Sequence, residues 1–510
     1  MNPRFLAPAA ALIALTSCSS TTSAQANRLG TIDFPTSGSA AAQPHFIRGV
    51  LFMHSFEYDS AAAEFRKAQA ADSSFALAYW GEAMTHTHPV WNEQDLVAAR
   101  GILQRIGNSA AERKAKAPTH REQMYLDAVE ILYGDGPKEK RDTLYSDAMK
   151  RIIDAHPEDA EAKAFYALSL IGLSQGVRNV ETYVRAGRIA EEIFKSNPDH
   201  PGAAHYVIHA YDDPSNAARG LAAARAYSKI APGAAHAQHM TTHIFLALGM
   251  WDDVVSQNEI ASGHDHDSWR PGHYTQWLNY AYLQQGRYAD ALHMLDMMNE
   301  PPPTQRGRWA LTSMRARYLI ETEQWDAPID RWNADAASLG AGGGPEWAFA
   351  AGFRAAKQRD LAAVARALDD MKTSGASTES DAIMQMELQA LLSYAGGKKD
   401  EALSMMREAT RREAAMAVEF GPPVVIKPSS ELYGEMLLDA GNASDAHAAF
   451  ARALELTPKR TRSLVGLVRS AKAMGNSAAV ASACADLNAV LHRADAAVRQ
   501  TAVAPLRACF

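Results

Sequence analysis

An all-α solenoid of paired helices is the fold class that the sequence predicts, and three observations carry it. Long stretches are rich in Ala, Leu and Met with few runs of β-branched residues, a composition that favours helix over strand. If Pro198 and Pro232 each end the second helix of a unit, the next units begin at Pro201 and Ala235, 34 residues apart, which is the period of a helix-turn-helix repeat. The clearest unit runs from Lys427 to Pro458. It places Gly434 and Ala446 where two helices must approach closely, Gly441 at the turn, Phe450 as the large filler and Pro458 as the terminator.

The chain has 510 residues, 47% of them apolar, enough for a long array or several domains. A formal charge of -7 and the absence of a long Lys/Arg cluster argue against nucleic acid as a partner. Residues 1–17 read as a signal peptide, with Arg4 ahead of the apolar run Phe5 to Leu15. Leu15-Thr16-Ser17-Cys18 is similar to a bacterial lipobox, so Cys18 is the expected lipidation site and the membrane is met only through that lipid. Ser19 then favours the outer membrane. Cleavage after Ala26, giving a soluble periplasmic protein, is the alternative. Residues 18–40, rich in Ser, Thr, Ala and Gly, read as a flexible tether. Cys484 and Cys509 are either a disulfide or two separate buried thiols.

The first array is expected over 41–300, with an insertion near 89–121 around Trp91 that departs from the repeat. The second spans 301–510, and Pro301-Pro302-Pro303 and Gly340 to Gly344 are the candidate joints between two halves. Within the register set by Pro201 and Ala235, Gly249 and Gly286 occupy the same turn position as Gly441.

Nine of the eighteen histidines fall between His200 and His273. His205 and His209 are four apart, as are His239 and His243, so each pair projects from one helical face. With the two helices side by side, His205 should face His239 and His209 should face His243, forming the rungs of a ladder. Such pairs suit a divalent ion, since imidazole is a ligand for Zn, Cu, Ni, Mn or Fe. His236, Asp212, His86 and His88 are further candidate ligands, and Asp212 or Glu82 could polarise water in a catalytic role. Asp213 reads as a turn residue before Pro214. Tyr206, Tyr211, His273 and Trp277 are candidates for the lining of a ligand groove. His264 to Asp267 reads as a solvated turn, and the Met group at 294 to 298 as soft core. A metal-free polar groove and a structural histidine network are the competing readings.

The Lys427–Pro458 unit resembles a tetratricopeptide repeat, and this resemblance implies a right-handed superhelix whose first helices line a concave groove for a peptide or protein. His205, His209, His236, His239, His243 and His273 fall on groove-facing positions of that repeat. Trp80-Gly81-Glu82-Ala83, His205-Tyr-x-x-His209-Ala210 and His239-Met-x-x-His243-Ile244-Phe245 resemble motifs of an exported bacterial branch of these proteins. The expected function is therefore a groove that binds a peptide, protein or small ligand beside a histidine-lined metal site. A metal-dependent hydrolase or oxidoreductase using the same histidines is the alternative, although no HExxH, GxSxG or phosphate-loop motif occurs in a convincing setting.

Overall fold

The computed structural model describes residues 28–174, 177–263, 270–298, 304–339, 343–375, 377–501 and 509. The signal peptide, Cys18, His264 to Trp269 and Pro301 to Pro303 lie outside the described residues. The fold is an all-α, tetratricopeptide-like helix-turn-helix solenoid. Pairs such as Pro201–Tyr211 with Ala217–Ile230, Ala235–Ala247 with Trp251–Ala261, and Ser429–Asp439 with Ala443–Leu456 follow one another along the chain. Each first helix also touches the first helix of the next pair, so the core runs continuously along the array.

The repeat chemistry works as its residue types require. Gly249, Gly286 and Gly441 have φ of +65°, +68° and +88°, a left-handed turn between paired helices that glycine adopts without steric cost. A Cβ on Gly434 would stand 2.9 Å from the Phe450 ring, so the small residue is what lets the two helices close on that ring. Ala446, Phe450 and Ala453 are buried, as are Met294, Met298 and Met406.

Residues 28–40 depart from the expected tether. Leu29 and Phe34 are buried, and Phe34 packs its ring 5.3 Å from Phe46 and 6.0 Å from Trp80. Two apolar anchors in a polar stretch suffice to bind it to the body. The insertion forms a two-strand hairpin, Thr87–His88 with Glu93–Gln94, around the turn Pro89–Trp91, followed by helices Leu96–Gln104 and Ala110–Ala115. Cys484 and Cys509 are joined as a disulfide.

The end of the array folds back on its middle. Trp251 Nε1 donates to the Lys459 carbonyl at 3.1 Å, and the Thr461 amide donates to Gln284 Oε1 at 3.0 Å. Between them the fully buried Arg460 pairs with Glu321 at 2.6 Å and Glu431 at 2.8 Å. This closure carries the loop after helix Lys399–Ala415 to the histidine region, where Phe420 lies 5.4 Å from His243.

Candidate metal centre

Three successive first helices supply the site. Pro201 opens the first at its N-terminal turn, where a proline costs no hydrogen bond, and His200 caps it by accepting from the Ala203 amide at 3.1 Å. His205 and His209 follow on one face. Helix Ala235–Ala247 brings His236, His239 and His243, and helix His273–Gln284 begins with His273 itself.

The structure sorts these six histidines into two triads, His205 with His209 and His236, and His239 with His243 and His273. Within each, the candidate ligand atoms lie within 4.8 Å of one another. The expected ladder is therefore corrected. His209 does meet His243, with ring centroids 6.1 Å apart, but His205 meets His236 at 5.0 Å and not His239. The His239 ring turns instead toward the following helix, 4.5 Å from His273 and 4.3 Å from Tyr274, and His236 is the ring that lies beside His205.

Hydrogen bonds on the outer nitrogens fix where the lone pairs point. In the first triad His205 Nδ1 donates to the His54 carbonyl at 2.7 Å, leaving Nε2 as a bare acceptor. Nε2 of His205, His209 and His236 are all buried with no hydrogen-bond partner, a costly arrangement for neutral polar groups. Phe56 lies against all three rings, 4.3 Å from His205, 5.7 Å from His209 and 5.5 Å from His236. Its φ of +57° is left-handed, a strained conformation for a bulky residue.

The second triad is oriented by its neighbours in the same way. His243 Nδ1 donates to Asp212 Oδ2 at 2.6 Å, and His239 Nδ1 donates to Asn258 Oδ1 at 2.8 Å. Asn258 cannot be turned round without loss, because its Nδ2 donates to Thr242 Oγ1 at 3.3 Å, and that hydroxyl is already committed to the His239 carbonyl at 2.6 Å. Both Nε2 atoms therefore carry lone pairs, and they face each other at 3.0 Å. Two lone pairs at that distance repel unless a cation lies between them or a proton joins them. A histidine held at its outer nitrogen by a carboxylate, amide or carbonyl is the usual support of a metal ligand.

Burial pushes the His205 imidazole down to about 3 and holds His209, His236 and His239 well below 6.5, with the neighbouring imidazoles adding to the effect. These rings are neutral at physiological pH, the state in which imidazole binds metal.

A third group, His54, Glu161 and His200, is as compact but differs in its hydrogen bonding. His54 Nε2 and His200 Nε2 donate to the two oxygens of Glu161 at 2.6 and 3.0 Å. The remaining nitrogens are taken by the Tyr206 hydroxyl at 2.9 Å and by the Ala203 amide. Burial would raise the Glu161 carboxyl, but the two imidazoles outweigh it and hold it at about 2. No imidazole lone pair is left for an ion, so this group is structural. Sequence reasoning passed over His54 and Glu161 because they lie in distant helices.

Several other expected residues fall elsewhere. Tyr206 and Tyr211 are buried away from the groove, Tyr206 bonded to His54 and Tyr211 beneath the Arg219 guanidinium at 4.0 Å. One residue of helix turns the side chain by about 100°, so Tyr206 cannot share the face of His205. Glu82 is held by Arg66 at 3.2 Å, Arg105 at 2.9 Å and Gln69 at 2.7 Å, which leaves no carboxylate free for catalysis. His88 stacks on Tyr58 at 4.1 Å with both nitrogens bonded, and His86 stands in the turn just before the hairpin, outside both triads. Asp212 is a partner of His243 and not itself a member of either triad. Asp213 accepts from the Ser215 and Asn216 amides at 3.0 Å, as expected for a turn residue.

Aromatic walls surround the triads. Trp277 is 4.1 Å from His273 and 5.4 Å from His243, Tyr274 stacks on His239 at 4.3 Å, and Trp91 stands 6.2 Å from His236. A cavity of about 510 Å³ opens beside His236 and His273, with Trp91, Tyr274, Arg270 and Arg306 in its wall.

No family model matches the chain, and no curated protein matches it. Among solved structures it is similar to yeast Tom70, at 11% identity over 86% of this chain and 96% of that one, with a TM-score of 0.33. It is also similar to the TPR domain of P58(IPK), at 13% identity over 86% of this chain and 99% of that one, with a TM-score of 0.22. At these TM-scores the likeness adds nothing to what the helix pairs themselves establish.

Proposed function

We propose that this chain is a metal-binding protein that holds two transition-metal ions side by side in the groove of a tetratricopeptide-like scaffold. The observation that carries the reading is the direction of the lone pairs. Nε2 of His205, His209 and His236 are buried without partners, and Nε2 of His239 and His243 face each other at 3.0 Å. Asp212, Asn258 and the His54 carbonyl hold the outer nitrogens of His243, His239 and His205, so the free nitrogens of these three rings are oriented before any ion arrives.

The cavity beside His273 gives a small ligand or a peptide end access to this centre, which joins the binding and metal readings in one place. The signal-like segment ending at Cys18 supports an exported, lipid-anchored chain, in a compartment where a disulfide such as Cys484–Cys509 persists.

Metal analysis of protein purified without a histidine tag tests the reading. Two ions per chain are expected, with His209→Ala and His239→Ala each losing one and the double variant losing both while keeping its helical circular dichroism. Failure to retain stoichiometric metal after Zn, Cu, Ni, Mn and Fe are offered separately would overturn it.

A further inference from the structure

The donor set narrows the identity of the ions. Each triad offers three imidazole nitrogens and no thiolate or carboxylate. Asp212 is committed to His243 Nδ1, and Asp213 is committed to Arg178 at 3.0 Å. Manganese, magnesium and calcium favour oxygen donors, and non-haem iron sites commonly include a carboxylate, whereas imidazole suits copper and zinc.

Charge points the same way. Two divalent ions would bring four positive charges into a pocket walled by Phe56, Trp277, Tyr274 and Phe420, against the carboxylates of Asp212 and of Glu57, which accepts from the His236 amide at 3.3 Å. Two cuprous ions bring only two, and burying charge is costly. Cuprous copper is also satisfied by three nitrogen ligands, whereas a divalent ion in the same triad needs a further ligand from solvent.

The triads abut. Rings of the two groups stand 6.1 Å apart at His209 and His243 and 6.3 Å apart at His236 and His239, little more than the spacings inside each triad. One small molecule entering beside His236 and His273 can meet both sites.

We propose that the two triads hold a pair of cuprous ions that together deliver two electrons to one molecule of dioxygen. Each Cu(I) gives up one electron and becomes Cu(II). Dioxygen takes both electrons and, with two protons from water, leaves as hydrogen peroxide. The proposal rests on the reading of the triads as metal sites.

The untagged protein, stripped of metal with a chelator, is offered Cu(I) under anaerobic conditions, or an equimolar mixture of Cu(I) and Zn(II). Two copper ions per chain are expected, taken in preference to zinc. Admission of air should then consume one dioxygen and yield one peroxide per chain, leaving a Cu(II) pair whose electron paramagnetic resonance intensity falls well below two spins. His209→Ala and, at the rim of the other triad, His273→Ala should each retain one copper with full spin intensity after oxidation. Each should react with dioxygen slower by about tenfold or more, with helicity intact. Two zinc ions bound in preference to copper, or a copper-loaded protein stable in air, would overturn the copper proposal and leave the metal sites standing. Failure to bind either metal would overturn both.

Discussion

Two histidine regions separated by a single helical turn or two show how the same residue types serve opposite ends. Around Glu161, every imidazole nitrogen of His54 and His200 has a partner. In the triads the outer nitrogens that are bonded point their hydrogen bonds away from the centre, and the inner ones face one another or face nothing. The first arrangement stabilises the fold unaided. The second leaves lone pairs that a cation or a proton would satisfy, and it is joined to the first through His54, whose carbonyl orients His205. Compactness of a histidine cluster is thus a poor guide to function, and the destination of each hydrogen bond is a better one.

Removing Glu161 should break this contrast most severely. Glu161→Ala leaves two buried imidazole donors without an acceptor and should cost about 3–5 kcal/mol of stability, on the scale of breaking a buried polar pair. In metal-free protein His209→Ala should cost only about 1 kcal/mol, because an unpaired buried nitrogen leaves along with the ring. Urea unfolding of both variants measures the difference. Equal losses would mean that the two regions are energetically alike.

Acid should weaken the Glu161 region next. The Glu161 carboxyl is held at about 2 against 4.5 for the free group. The native state therefore binds fewer protons than the unfolded chain between those values, so this stabilisation is present above about pH 4.5 and lost as pH falls toward 2. At about 1.4 kcal/mol per unit the shift corresponds to roughly 3 kcal/mol. His54, held below 6.5 chiefly by burial, adds a loss of the same sign as pH falls beneath 6.5. Denaturant midpoints across this range should fall with acid, and Glu161→Gln should flatten the lower part of the curve.

Metal should separate the triads from the Glu161 group by a comparable amount. At free metal about 100-fold above Kd, binding to the folded state alone adds about 2.7 kcal/mol per site. The melting temperature of the wild-type chain should rise on loading. The double variant His209→Ala and His239→Ala should show no rise, whereas a third variant confined to the outer wall, Trp91→Ala, should keep it.

Much of this was legible in the residues themselves, and the misses have a common cause. The 34-residue step, the glycine turns at Gly249 and Gly441 and the close approach at Gly434 are properties of one chain segment and its neighbour. The histidine stripes were legible for the same reason, since spacing of four fixes a helical face. Which way a ring turns depends on the helices packed on both sides of it, and His239 turns toward His273 and Tyr274, so the partner of His205 could not be read. The roles of His54, Phe56 and Phe420 were invisible because they reach the site from other helices and from the folded-back end of the solenoid. Tyr206 and Tyr211 were misplaced because proximity in sequence to a histidine is not proximity on its face.

The finest test of the contrast changes one oxygen. Asp212→Asn preserves shape beside His243 Nδ1 but removes the carboxylate charge that strengthens the ring as a ligand. Loss of such a partner commonly lowers metal affinity by about 10–100-fold, which is about 1.4–2.7 kcal/mol. The loss should be confined to the second triad, because the first draws its orientation from the His54 carbonyl. Titration with limiting metal should then resolve one site of unchanged affinity and one weakened site. Equal weakening of both would mean that the two ions share their ligands and that the six histidines form a single centre. Equal retention would mean that Asp212 serves the fold as Glu161 does, and the division between the two regions would have to be drawn on the other side of His243.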